Sequence, residues 1–164
     1  MLFTRAVSVG KTIEQLLGAA RTTADAALYR LNHPRLARAL RDAARRGVRV
    51  RVILDREKYE LTPATQQLVA KLEIPHRLMS GRQGPYAKMH HKFAVLDGRV
   101  AVTGSYNWTL ESEESNYENF MIVREPELVK RFAREFEALW SMGPEGRAPR
   151  RRPRGRSTHS SSQG

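Results

Sequence analysis

Strand-like and helix-like stretches alternate along this chain, and the alternation restricts it to a sheet with helices packed against it. Leu2 to Val9 reads as a strand, after which Ile13, Leu16, Leu17 and Ala20 recur at helical spacing. Ala24 to Leu31 is an apolar run suited to the centre of a sheet. His33-Pro34 opens a helix whose buried stripe is Leu36, Leu40, Ala43 and Ala44, and Gly47 stops it. Val48, Val50, Val52 and Leu54 alternate with Arg49, Arg51 and Ile53 as a further strand. Thr62-Pro63 supplies a cap and a first-turn proline for a helix through Leu72, and a strand follows near Arg77 to Met79. Pro126 starts a last helix with Val129, Phe132, Ala133, Phe136 and Trp140 on one face. The fold expected is α/β: a mixed β-sheet flanked by helices on both faces.

The stretch from Met89 to Thr109 is the one that carries chemistry. Phe93 to Leu96 and Val100 to Val102 are short β-favouring runs, and Asp97-Gly98 between them signals a two-residue type I′ turn. That turn sets Leu96 opposite Arg99, Val95 opposite Val100, Lys92 opposite Thr103 and His90 opposite Ser105. One face then carries Phe93, Val95, Val100 and Val102, continued by Tyr106 and Trp108, as the core side; His91 shares its parity. The other carries His90, Lys92, Thr103, Ser105 and Asn107, so polar groups converge at the open end. Cationic donors, a hydroxyl and an amide there can satisfy several oxygens of a phosphate, and an imidazole can attack or donate a proton near neutral pH. Asp97 lies roughly 23 Å from His90 along a straight strand, so it is expected to hold the turn or a basic neighbour. The loop from Ser80 to Lys88 immediately precedes His90, which makes Arg82, Tyr86 and Lys88 candidate substrate contacts, with Trp108 a further one.

Composition agrees with one domain and a tail. A chain of 164 residues, 40% hydrophobic, can bury a single core over residues 1–142. Residues 143–164 hold six arginines among Gly, Pro and Ser, and such a segment is expected to be disordered. The formal charge is +12, with both parts basic, which suits a polyanion; nucleic acid is the expected partner and anionic lipid the competing one. The absence of cysteine excludes disulfides and thiolate metal sites. No stretch approaches the ~20 apolar residues of a membrane span, and Arg5, Lys11 and Glu14 interrupt the N-terminus, so the sequence carries the expectation of a cytoplasmic protein. Export by a signal removed earlier stays open.

His90-x-Lys92-x4-Asp97, followed by Gly104-Ser105-x-Asn107, resembles the HxKxxxxD motif and trailing GSxN of the phospholipase D superfamily. A lone HxK pair would read as two solvated positions on an edge strand; the GSxN at the right distance argues against that. Asn116-Tyr117-Glu118-Asn119 precedes the apolar run from Phe120 to Val123, where the family places a glutamate that hydrogen-bonds the catalytic histidine, a role Glu118 matches. The resemblance covers about Leu2 to Trp140 with one motif per chain. It is similar in this to the small bacterial endonucleases and to the nuclease domain of metal-independent restriction enzymes. Mitochondrial members also have one motif, but with a cysteine-containing zinc insertion that this chain lacks.

The resemblance implies phosphodiester hydrolysis in two displacements. His90 attacks phosphorus, Glu118 holds its other nitrogen, and Lys92, Ser105 and Asn107 bind the oxygens on which charge builds. One motif supplies one histidine where the chemistry needs two, so a two-fold homodimer with both motifs at its axis is expected. No metal or other cofactor is implied. The expected activity is an endonuclease on DNA, with RNA as a second polymer. The alternatives are a phospholipase D or cardiolipin-type lipid hydrolase and a catalytically silent nucleic-acid-binding module.

Overall fold

Apolar runs such as Val52–Leu54 and Phe93–Leu96 are too continuous for a sheet wetted on one side, and the computed structural model shows why. It describes residues 1–84, 86–142 and 145–146. Among these, β1 (Leu2–Phe3), β2 (Thr23–Leu28), β3 (Arg49–Asp55), β4 (His76–Met79), β5 (Lys92–Leu96), β6 (Val100–Gly104), β7 (Asn119–Val123) and β8 (Glu145–Gly146) form one sheet. Its spatial order is β1-β7-β6-β5-β2-β3-β4-β8. β2, β3 and β4 are parallel and the other pairs antiparallel, so the sheet is mixed.

Both faces are covered, as in the expected fold class. On one side Val9, Ile13 and Leu17 of α1 (Val9–Ala19), Leu36 and Leu40 of α2 (Pro34–Arg45) and Val69 and Leu72 of α4 (Pro63–Leu72) pack on Ala24, Ala26, Val52, Ala94 and Val102. On the other, Val129 and Phe136 of α6 (Pro126–Met142) pack on Ala27, Ile53, Phe93, Val95 and Ala101. Fully burying one such large apolar side chain is worth about 1.5–3 kcal/mol. Two five-residue helices, α3 (Arg56–Glu60) and α5 (Leu110–Glu114), are additions to the elements expected from periodicity.

Several expectations need correction. The first strand is Leu2–Phe3 and not Leu2 to Val9: the chain turns, and Ser8 Oγ accepts the Lys11 N–H at 3.0 Å as the cap of α1. β2 ends at Leu28 rather than Leu31. The hairpin turn has the expected backbone, with φ of 54° at Asp97 and 61° at Gly98 and the Arg99 N–H on Leu96 O at 3.0 Å. Arg99 nevertheless joins the loop, so Leu96 pairs with Val100 and Phe93 with Thr103, one residue away from the expected register. A one-residue slip exchanges faces. Val100 and Val102 therefore lie on the α1/α2 side and Phe93 and Val95 on the α6 side, and there is no single core face. The expected arginine-rich tail lies outside the described residues apart from Glu145–Gly146, which pair with Arg77 and His76.

Arg51 keeps the expected alternation, on the α6 side with Ile53, but that side is covered too and leaves it at 8% exposure. Its guanidinium donates to Asp25 at 2.7 and 2.9 Å and to Glu137, and lies over the rings of Phe136 and Trp140 at 4.9 and 5.1 Å. Burial opposes this charge, but the hydrogen bonds to Asp25 and Glu137 outweigh it and raise the guanidinium pKa.

Candidate active site

Antiparallel pairing of β5 with β2 sets Lys92 beside Leu28, so the start of the motif lies at the C-terminal ends of the parallel strands, where open α/β sheets hold their ligands. His90 and Lys92 enter from the N-terminal side of β5, and Ser105 and Asn107 follow β6. Glu118 stands one residue before β7. Gly104 lets β6 approach β7: a Cβ there would stand 2.2 Å from Asn119 O.

His90 is exposed and Lys92 half-buried. The Lys92 ammonium donates to the His90 carbonyl at 2.9 Å and stands 3.3 Å from its Nε2. An ammonium only donates, so in the neutral imidazole Nε2 is the acceptor and the ring proton sits on Nδ1. Burial lowers the His90 pKa, and the charges of Lys92 and His91 lower it further against the opposing pull of Asp55. The Lys92 pKa is lowered by burial, which the charge of Glu118 opposes. The pair thus joins an imidazole whose protonation is disfavoured, with Nε2 turned to the ammonium, to a lysine at the same site.

Ser105 and Glu118 are hydrogen-bonded, and the Asn119 N–H donates to Ser105 Oγ at 3.1 Å. Glu118 also accepts from the Ser112 hydroxyl at 2.9 Å and from Asn116 Nδ2 at 3.3 Å. Here the structure differs from the expectation: among the described residues no hydrogen bond joins Glu118 to His90, because hydroxyl and amide donors take its oxygens. The expected pairing of His90 with Ser105 is also absent, since Ser105 lies beyond β6 and its N–H donates to Asn119 O at 3.1 Å. Asn107 is half-buried with an unpartnered Oδ1.

Asp97 holds a turn at the opposite end of β5. It accepts the N–H groups of Arg21, Thr22 and Thr23 and the Thr22 hydroxyl at 2.7–3.1 Å. Burial alone would raise its pKa; these hydrogen bonds outweigh that and lower it to about 2. Arg82 and Tyr86 are exposed in the loop before His90, while Lys88 is tied to Glu57 of α3. Trp108 is a correction: at 1% exposure it belongs to the core, and its carbonyl accepts the Asn32 and His33 N–H groups at 3.0 and 3.1 Å, so its ring has no surface to offer a substrate. His91 lies on the Phe93 side as expected, but exposed, with Nε2 3.3 Å from Glu135. Asp55, missed in the sequence, is 1% exposed and anchors the peptide before His90 by accepting the Met89 N–H at 2.9 Å. A carboxylate ending a β-run, with no motif around it, gave no signal for this.

A family model described as "Cardiolipin synthase, PLD-like domain" matches residues 13–140. The chain belongs to this phospholipase D-like family. Curated relatives in the family include mitochondrial cardiolipin hydrolases, from Xenopus laevis at 42% identity (79% of this chain, 60% of the relative) and from Homo sapiens at 41% (74% and 47%). The chain spans roughly half to three-fifths of the length of such relatives. Among solved structures, the phospholipase D family member Nuc from Salmonella typhimurium superposes with a TM-score of 0.78 at 26% identity, covering 88% of this chain and 95% of that one. NucT from Helicobacter pylori gives a TM-score of 0.75 at 23% identity, over 81% and 87%, and shows the same fold. The PLD-like fold therefore matches the expected class. No helix among the described residues is long and apolar enough to cross a membrane.

Proposed function

We propose that this chain is a phosphodiester hydrolase that cleaves nucleic acid, DNA first and RNA second, through a phosphohistidine on His90. The observation that carries the reading is the Lys92 ammonium 3.3 Å from the His90 Nε2 lone pair, which places an electrophile-binding cation beside an exposed nucleophile. In the first displacement His90 attacks phosphorus and the alcohol leaves with a proton; in the second, water attacks the phosphohistidine and returns the imidazole. Lys92 and Asn107 donate to the non-bridging oxygens, and Ser105 joins them when its one hydroxyl proton, given to Glu118 in the free site, turns to the substrate. Glu118 acts here by holding Ser105 and by its charge on Lys92. The acid for the leaving oxygen is a second His90, brought by a two-fold partner. The excess of 29 Lys and Arg over 17 Asp and Glu supports a polyanionic substrate.

Lipid phosphodiester hydrolysis is the second reading. It is favoured by the names of the relatives and by a cleft of about 530 Å³ beside Glu118, lined by Phe3, Thr4, Arg5, Tyr117, Glu118 and Asn119, in which Phe3 and Tyr117 are exposed apolar surface. The test is cleavage by purified protein in excess chelator, offered single-stranded DNA, duplex DNA, RNA and cardiolipin vesicles. Cleavage of nucleic acid is the expected result. Cleavage of vesicles alone moves the assignment to lipid, and activity that chelator removes and magnesium restores rejects the histidine mechanism.

A further inference from the structure

Tyr29 stands just past the end of β2, about sixty positions before the motif. Its N–H donates to His91 O at 2.7 Å, so the ladder holds its backbone directly across from the start of β5. Its ring meets the His90 ring edge-on, with centroids 4.4 Å apart at 62°, and lies 4.8 Å from the Lys92 ammonium. Among the described residues its hydroxyl makes no hydrogen bond, so the ring itself is what the site uses.

We propose that Tyr29 is a positioning residue for the His90–Lys92 pair, its ring holding the imidazole by its edge and the ammonium by its face. The inference rests on reading His90 as the nucleophile. A lysine is a point charge on a flexible four-carbon stem, and without a fixed partner it disperses into solvent. Lys92 has the His90 carbonyl at 2.9 Å and Nε2 at 3.3 Å, and the aromatic face adds a third anchor while leaving one ammonium hydrogen for a substrate oxygen. The ring also excludes water from one side of the imidazole.

Among the described residues, the charged groups that act on the pair are identifiable. Lys92 and His91 of the motif strand disfavour the imidazolium, Asp55 at the end of β3 favours it, and Glu118 before β7 acts on Lys92. Lys58 of α3 lies 5.9 Å from the Tyr29 centroid. Asp55 accepts both the Met89 and the Lys58 N–H, at 2.9 and 3.0 Å, so the chain entering His90 and the first turn of α3 are pinned independently of the ring, as the Tyr29 backbone is by its bond to His91 O. Replacing the ring thus perturbs the pair while the backbone around it stays held.

The test uses the full chain with isotope-labelled histidine, comparing Tyr29→Leu and Tyr29→Phe with the parent; the His90 signals are assigned with His90→Asn. Without the ring, the His90 titration midpoint moves up toward the ordinary histidine value and kcat on single-stranded DNA falls on the order of tenfold, with a smaller change in KM. Tyr29→Phe restores both. Tyr29→Met serves as the ring-less variant should the leucine variant not fold. A ring-less variant with the parent midpoint and kcat overturns the proposal, as does a Tyr29→Phe variant as impaired as Tyr29→Leu. The titration needs no substrate: a midpoint that moves in a protein inactive on every phosphodiester supports the positioning contact and rejects the hydrolase reading.

Discussion

Replacing Asp97 by asparagine removes the charge on which the Arg21–Thr23 N–H groups converge and turns one of its two acceptor oxygens into a donor NH2, and so tests whether the aspartate of the motif serves the fold or the chemistry. Its pKa of about 2, against about 3.9 for an unperturbed aspartate, corresponds to about 2.6 kcal/mol favouring the folded state. Asp97 is partly open to water, so screening discounts this to about 1–2 kcal/mol. A depressed folded pKa gives stability that is present above the unfolded value and lost as pH falls through the folded one. The stability difference between parent and Asp97→Asn is therefore full above about pH 4 and fades toward pH 2. In urea melts at pH 7 the variant loses about 1–2 kcal/mol, or roughly 2–8 °C in Tm for a domain of this size. Turnover per folded molecule stays at the parent level, because Asp97 and His90 sit at opposite ends of β5. A variant of unchanged stability and lost turnover would refute the reasoning and place Asp97 in the chemistry.

Arg51→Met leaves the buried Asp25 without its main partner and costs about 3 kcal/mol in urea melts, and adding Asp25→Leu recovers most of it; a loss under about 1 kcal/mol contradicts a stabilising role for the Asp25–Arg51 pair. The rate depends on pH as a bell whose two apparent pKa values belong to the histidine pair, and the limb that requires a neutral His90 lies below the ordinary value near 6.5; a single-limbed profile excludes paired imidazoles. Removing residues 147–164 takes away six arginines and flattens the salt dependence of DNA binding by at most roughly five logarithmic units of slope; an unaltered slope means the tail does not contact nucleic acid.

Long periodic elements were legible in the sequence because burial on a sheet imposes them: α2, α4, α6, β3 and β4 lie close to where their apolar patterns predict. The short helices α3 and α5 were not, since five residues hold no repeated stripe and form by capping, Asp55 to Lys58 N and Thr109 to Ser112 N. The Asp97-Gly98 pair revealed the turn but not the register, because whether Arg99 belongs to loop or strand depends on packing that no dipeptide encodes. That one residue decided which face Val100 and Val102 occupy. At the candidate site the motif brought His90 and Lys92 to attention, whereas Tyr29 and Asp55 come from strands far earlier in the chain, and only the sheet order makes them neighbours. Trp108 illustrates the opposite error, a large aromatic next to a motif that the fold uses as core.

The covalent role of His90 can be measured directly by mixing enzyme with end-labelled single-stranded DNA, quenching in alkali within the first turnover, and digesting for mass spectrometry. The account predicts a phosphoryl-linked adduct on the peptide carrying His90, absent from His90→Asn. Turnover without any adduct, or an adduct on another residue, would contradict it.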